Sequence, residues 1–104
     1  MTVYEESVRL MVTVARHEAQ RYRQNVADAA HNVSEALRRA QRIAEGGSPA
    51  GYSSGVLKGY AAELDVSIGK LAVALDNLKH VEELATQTGV SLDGLVVPGE
   101  SRTS

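Results

Sequence analysis

The sequence predicts an all-α protein, an antiparallel two-helix hairpin of the coiled-coil type that dimerises into a four-helix bundle. Apolar residues recur at alternating spacings of four and three along residues 8–43 and again along residues 57–78. This spacing is typical of helices that pack along a seam. The stretch GGSPAGYSSG (46–55) separates the two halves. Its Gly, Pro and Ser residues indicate a turn, and its length suits a helix–helix connection better than a domain linker.

The first helix is predicted over residues 4–45, because no Pro or Gly occurs between residues 5 and 45. At 1.5 Å per residue it is about 60 Å long, and a helix of this kind needs a partner along its seam. Its seam is rich in Ala and Val, with Tyr22 as the only aromatic side chain, and we expect that ring to be largely buried. The seam positions are Val8, Val12, Ala15, Ala19, Tyr22, Val26, Ala29, Val33, Ala36, Ala40 and Ile43.

The second helix is predicted over residues 53–88, after a turn at 46–52. Ser53 or Ser54 can cap its start, and Gly89 follows its end. Gly59 and Gly69 lie inside it, at a cost of about 1 kcal/mol each relative to Ala, which suggests that something approaches the backbone there. Glu82 interrupts the apolar stripe near the end. The predicted seam consists of Leu57, Ala61, Leu64, Ile68, Leu71, Leu75, Leu78 and Ala85.

The segment VRLMVTVA (8–15) is apolar on most of its sides, so one neighbouring helix does not cover it. The antiparallel register brings residues 85–92 beside it, and we expect residues 89–97 to fold back over it as part of a single domain of residues 1–97. Leu10 and Val14 are predicted to lie at an interface with another molecule. The polar residues 98–104 are predicted to form a flexible tail.

A second stripe of small apolar residues lies on the side of the second helix that faces away from the predicted seam. We expect it to bind another helix, from a second copy or from a similar helical protein. The alternative is that scattered apolar surface residues need no explanation. The predicted interface consists of Ala62, Val66, Gly69, Val73, Leu10 and Val14. The predicted core inside the hairpin consists of Val12, Ala19, Tyr22, Val26, Val33, Leu64, Ile68, Leu71, Leu75 and Leu78.

The residues give no support for catalysis or for a cofactor. The chain has no Cys, and therefore neither a thiol nucleophile nor a thiolate metal site. His17, His31 and His80 all fall at helix positions that face away from the seam, whereas metal ligands in helical bundles project inward. Asp76, His80 and Glu83 share one helix face, which we interpret as solvated surface. We predict no enzyme activity, no metal or other cofactor and no small-molecule substrate.

The composition also disfavours nucleic acid and membranes as partners. The net charge is −2, and the basic residues Arg38, Arg39 and Arg42 are explained by the helix C-terminus that they occupy. No apolar run approaches the roughly 18 residues of a membrane span. Glu5 and Glu6 stand where a secretory signal carries positive charge. We therefore expect a cytoplasmic protein, or one exported without a cleaved signal peptide.

The layout of two helices around a Gly/Ser-rich turn in about 100 residues resembles the WXG100 (ESAT-6-like) proteins. The stretches GGSPAGYSSGVLKGYAAEL (46–64) and LAVALDNLKHVEELATQTG (71–89) resemble that family's turn and second helix. The resemblance implies a protein–protein interaction module that pairs with itself or a sister protein and is exported by type VII secretion. The family's Trp-x-Gly and Tyr-x-x-x-Asp/Glu motifs are absent, with Tyr52 in the turn instead. The alternative is a structural or assembly subunit of a larger complex, such as a phage virion component.

Overall fold

The computed structural model describes residues 2–95, which form two long α-helices and the segments that connect and follow them. Helix α1 spans Val3–Ala44 and helix α2 spans Val56–Thr88. They pack against each other along their lengths, with Arg16 bound to Glu82 and Arg9 bound to the backbone at Ser91. The predicted all-α hairpin is therefore confirmed. The molecule measures 66 × 28 × 16 Å.

Local sequence explains where α1 begins and ends. Thr2 caps the helix: its hydroxyl accepts from the Glu5 amide at 3.1 Å, and its own amide donates to the Glu5 carboxylate at 2.8 Å. This reciprocal pair satisfies two amides that helix formation leaves unpaired. The hydrogen bonds from the Thr2 backbone and side chain hold the pKa of Glu5 below its ordinary value. At the other end, Gly46 adopts a left-handed conformation (φ 109°) that terminates the helix.

Helix α2 begins three residues later than predicted, and neither Ser53 nor Ser54 caps it. The N-cap is Gly55 in a left-handed conformation (φ 91°), and no side chain of the described residues caps this end. Two turn hydrogen bonds precede the helix: the Tyr52 amide donates to the Pro49 carbonyl, and the Val56 amide donates to the Ser53 carbonyl. Because Ser53 belongs to a turn, the helix begins only at Val56.

The end of α2 matches the prediction because Gly89 provides the conformation needed there. Gly89 has φ 74°, its amide bonds to the Thr86 carbonyl, and the Val90 amide bonds to the Ala85 carbonyl. This pair of bonds is the Schellman arrangement, in which a left-handed residue, most often Gly, reverses the chain. The reversal directs residues 90–95 back toward α1.

The buried core is small and lies at the end of the hairpin opposite the turn, called here the open end. The only fully buried side chains larger than Ala among the described residues are Val8 and Val12. Of residues 30–73, all of which are described, none is buried. The radius of gyration is 20.0 Å, whereas a compact chain of this length has about 13 Å. The half of the molecule near the turn therefore has a seam that the hairpin alone does not close.

The predicted seam of α1 and the structure agree, since all eleven positions from Val8 to Ile43 are buried or half-buried. The predicted seam of α2 is partly wrong. Ile68 is 50% exposed and Ala61 is exposed, so neither belongs to the core. The residues that face α1 instead are Leu64, Ser67, Leu71, Ala74, Leu78, Val81 and Ala85, all buried or half-buried. Leu75 is half-buried at the edge of this row.

The rotation of α2 relative to the prediction has a physical reason. Turning the helix places the small Ala74 and the apolar Val81 against α1, and it leaves Glu82 at the edge, where its carboxylate stays partly solvated. There the carboxylate accepts from Arg16 Nε at 3.1 Å and Nη2 at 3.0 Å. In the predicted register Glu82 would enter the seam, and burying an unpaired charge costs several kcal/mol. The helix therefore buries Val81 instead.

Residues 90–95 fold back over the open end. Val90 is buried in one cluster with Val8 and Val12, and Leu92 and Leu95 pack against that cluster. Arg9 holds the segment from the side by donating hydrogen bonds to the carbonyls of Ser91 and Asp93. The predicted fold-back also included Val96 and Val97, which lie outside the described residues, as does the predicted tail 98–104.

Candidate interaction surface

The stripe predicted from the sequence lies on the surface of α2. Val66 is 54% exposed and Val73 is 71% exposed, and Ala62 and Gly69 are also exposed. Together with Tyr22, part of the stripe lines an open groove of about 580 Å³. The same groove is lined by Glu18, Lys70 and Asn77, so its walls are only partly apolar.

The glycines inside α2 face open space. Apart from the glycine's own chain neighbours and the backbone of the adjoining helical turns, no atom of the described residues lies within 4 Å of a Cβ built on Gly59 or Gly69. The close approach expected at these positions therefore does not come from the hairpin itself.

Replacing either glycine with Ala should stabilise the isolated hairpin. We expect Gly59→Ala and Gly69→Ala each to raise the free energy of unfolding by about 0.5–1 kcal/mol, because Ala restricts the unfolded chain and fits the helix. Gly89→Ala is the matched control and should destabilise, since its left-handed φ strains any side chain. Urea unfolding at low protein concentration measures all three. A loss of stability with Gly59→Ala would contradict the open environment seen here.

Tyr22 is less enclosed than expected. Its ring is half-buried and contributes to the groove wall, while its hydroxyl accepts from Arg21 Nη2 at 3.2 Å. The Arg21 guanidinium also lies 4.8 Å from the ring centroid, a cation–π contact. Ala74 of α2 lines the same groove as the ring.

A second apolar surface lies on the flank of the hairpin that carries the Arg16–Glu82 pair. Both helices keep their seam residues at an average spacing of 3.5, so positions seven residues apart stay on one side. Counting seven residues toward the turn from Arg16 and Glu82, we expect Arg23 and Leu75 as the next pair on this side. Two further counts of seven give Ala30 with Ile68, and then Leu37 with Ala61. We call Ala30, Leu37, Ala61, Ile68 and Leu75 the Ile68 flank.

The Ile68 flank is apolar and largely exposed, with Ile68 and Leu37 about half accessible to solvent. Sequence reasoning missed it by assigning Ile68 and Leu75 to the seam. The signal was nevertheless present, because apolar residues occupy three adjacent rows of α2 and a two-helix seam uses only two. The third row is the one that the structure leaves at the edge.

The opposite flank at the same level is polar. It forms a shallow groove below Tyr22 in which amide and charged side chains predominate. The residues that give it this character are Asn25, Asp28, Asn32, Glu63 and Lys70. The two sides of the hairpin therefore differ in the middle of the molecule.

The open end also carries exposed apolar side chains. Leu10 is 63% exposed and Val14 is exposed, although residues 90–95 cover the other side of the same helical turns. The fold-back segment therefore helps to bury Val8 and Val12 and leaves Leu10 and Val14 accessible to solvent.

The described histidines lie on the surface of the hairpin. His17, His31 and His80 are all exposed, and Asp76 pairs with His80 Nδ1 at 3.6 Å. Within residues 2–95 no group of three or more His, Asp or Glu side chains is placed to hold a metal ion.

Two of the basic residues near the turn make local contacts. Arg38 pairs with Glu35 at 2.7 Å, and Arg39 donates to the Ala50 carbonyl at 3.3 Å. The Arg39 guanidinium also lies 5.8 Å from the centroid of the Tyr52 ring. The two Arg39 contacts hold the loop against the end of α1.

Neither of the described helices contains an apolar segment long enough to cross a bilayer. Comparisons with protein families, with curated proteins and with solved structures give no match for this chain.

Proposed function

We propose that this protein is a non-catalytic protein–protein interaction module, a helical hairpin that associates with itself or with a similar helical protein to form a four-helix bundle. The observation that carries the proposal is the unclosed seam in the half near the turn. There, residues 30–73 include no buried side chain, while Leu37, Val66 and Ile68 are about half exposed.

The energetics support a partner. Burial contributes about 25 cal/mol per Å² of apolar surface, and each ordered backbone residue costs on the order of 1 kcal/mol in entropy. In the half near the turn both helices are ordered, but their Leu, Val and Ala side chains are at most half-buried. A second hairpin would bury the exposed apolar rows and add the missing free energy.

Sedimentation equilibrium tests the proposal. We expect the chain to be a dimer at micromolar concentrations, with a melting temperature that rises with concentration. Val66→Glu combined with Ile68→Glu places a charge on both apolar surfaces and should yield monomers. Ser7→Glu combined with Gln87→Glu adds the same charge at exposed polar positions and should leave the dimer intact. A stable monomer at high micromolar concentration would refute self-association.

The resemblance to WXG100 proteins suggests type VII secretion as the process in which such a module acts. Export by cells with a functional secretion ATPase, and retention when that ATPase is deleted, would support this part of the proposal. Retention in both strains would refute it without affecting the interaction module itself.

A further inference from the structure

We infer that the peptide bond between Asp93 and Gly94 is a site of isoaspartate formation, and that this modification loosens the packing of residues 90–95 on α1. The inference is independent of the proposed self-association, because it concerns covalent chemistry within one chain.

The structure leaves this peptide bond open to reaction. Asp93 and Gly94 follow α2 and are both exposed, so water reaches them. Apart from its chain neighbours, no atom of the described residues lies within 4 Å of a Cβ built on Gly94, so nothing shields its nitrogen. Within residues 2–95 the Gly94 amide donates no hydrogen bond. By contrast, Asp28, Asp65 and Asp76 lie inside helices, where the amide that follows each of them is hydrogen-bonded.

The reaction starts with attack of the Gly94 nitrogen on Cγ of the protonated Asp93 carboxyl group. The N–Cγ bond forms, a Cγ–O bond breaks, and a water molecule leaves with the carboxyl proton and the amide proton, which gives a succinimide ring. Water then adds to a ring carbonyl. Addition at Cγ restores aspartate. Addition at the main-chain carbonyl carbon breaks its bond to nitrogen, which regains a proton, and leaves isoaspartate with the chain running through Cβ and Cγ.

Arg9 places a positive charge at the oxygen on which both steps depend. Its Nη2 donates to the Asp93 carbonyl at 3.2 Å, while its Nη1 donates to the Ser91 carbonyl and so fixes the guanidinium there. A cation at this oxygen stabilises the amide nitrogen as it loses its proton, because the two atoms share one conjugated group. It also stabilises the oxyanion that develops when water adds to the same carbonyl. The new carboxylate of isoaspartate then forms where Arg9 already donates, as a charge-assisted pair.

The modification changes the chain at the point where it turns onto the core. Isoaspartate adds one carbon atom to the backbone just before Gly94, which adopts a left-handed conformation (φ 85°). The next residue, Leu95, packs against the buried cluster that contains Val12. Because Arg9 still holds residues 91–93, the displacement falls on Leu95, and the cluster loses part of its cover.

Peptide mapping of the folded chain after long incubation at mildly acidic pH, where the carboxyl group is protonated, tests the inference. We expect isoaspartate to accumulate at Asp93, preceded by a species lighter by one water, while Asp28, Asp65 and Asp76 stay unmodified. Labelling by an isoaspartyl methyltransferase is the second measurement. Asp93→Glu is the control and should remain unlabelled, because its longer side chain does not close the same ring. Absence of isoaspartate at Asp93 in the folded chain, or its formation only in urea, would overturn the inference.

An Arg9→Gln variant tests the part played by the guanidinium. We expect isoaspartate to form about threefold more slowly in this variant, equivalent to about 0.6 kcal/mol in the barrier. If Arg9 only held the segment in place, releasing the segment would speed the reaction, so an unchanged or higher rate would overturn this role.

Urea unfolding of aged protein tests the structural consequence. The modified chain should unfold at a lower urea concentration than fresh protein, whereas Asp93→Glu aged in the same way should keep its original midpoint. Equal midpoints for fresh and fully modified chains would show that the change at Asp93 does not reach Leu95.

Discussion

Replacing Val12 with Asp is expected to destabilise the hairpin more than any other single change discussed here. Val12 is fully buried between α2 and the fold-back segment. The substitution removes its apolar contacts and places a carboxylate in an apolar cluster in which no buried side chain is polar. An unpaired buried charge costs about 3–5 kcal/mol, a large part of the 5–15 kcal/mol by which domains are usually stable. The melting temperature should fall by about 15 °C or more.

Val14→Asp is the matched control for this experiment. It makes the same change two residues away at an exposed position on the same helix. Measured by circular dichroism at low protein concentration, its effect should stay within about 0.5 kcal/mol. Equal destabilisation by the two variants would show that the packing at the open end is not as described. A loss for Val14→Asp that grows with concentration would locate this side chain at an interface.

Removing the apolar side chains of the fold-back segment is expected to have the second largest effect. Changing Val90, Leu92 and Leu95 together to Ser uncovers Val8 and Val12, which these side chains help to bury. Full burial of such side chains contributes about 1.5–3 kcal/mol each, and two of the three are only partly buried. We expect a total loss of about 3 kcal/mol in the free energy of unfolding by urea.

A control with equal loss of apolar atoms distinguishes burial from composition. Leu10, Met11 and Val14 are exposed on the same end of α1, and changing all three to Ser should cost far less at low concentration. If both triple variants lose the same stability, residues 90–95 do not cover α1 in solution.

The sequence predicted the hairpin because its signals are local. The seam of α1 follows from an unbroken spacing in a helix without Pro or Gly, and the end of α2 follows from Gly89. The start of α2 was predicted wrongly, since Ser53 and Ser54 are good caps by residue type. Turn hydrogen bonds around Pro49 and Tyr52 place Gly55 at the cap instead.

The choice of rows on α2 could not be made from the sequence. Leu64 and Leu71 belong to the seam in either register, and a 4,3 pattern can be continued with Ile68 and Leu75 or with Ser67 and Ala74. Residue size favours the first and the structure adopts the second. The balance depends on contacts with α1: the ion pair of Glu82 with Arg16 and the burial of Val81 exist only once the two helices are packed.

What the sequence by itself determined is therefore the number of helices, their antiparallel packing, the seam of α1 and the apolar character of the outward stripe. The tertiary structure alone decided how α2 is rotated, how far Tyr22 is buried and which apolar row remains exposed beside Ile68. The physical reason is that helix periodicity specifies a set of rows along each helix. Which of three apolar rows faces a partner depends on side-chain size and charge across the contact, and these act only when the helices meet.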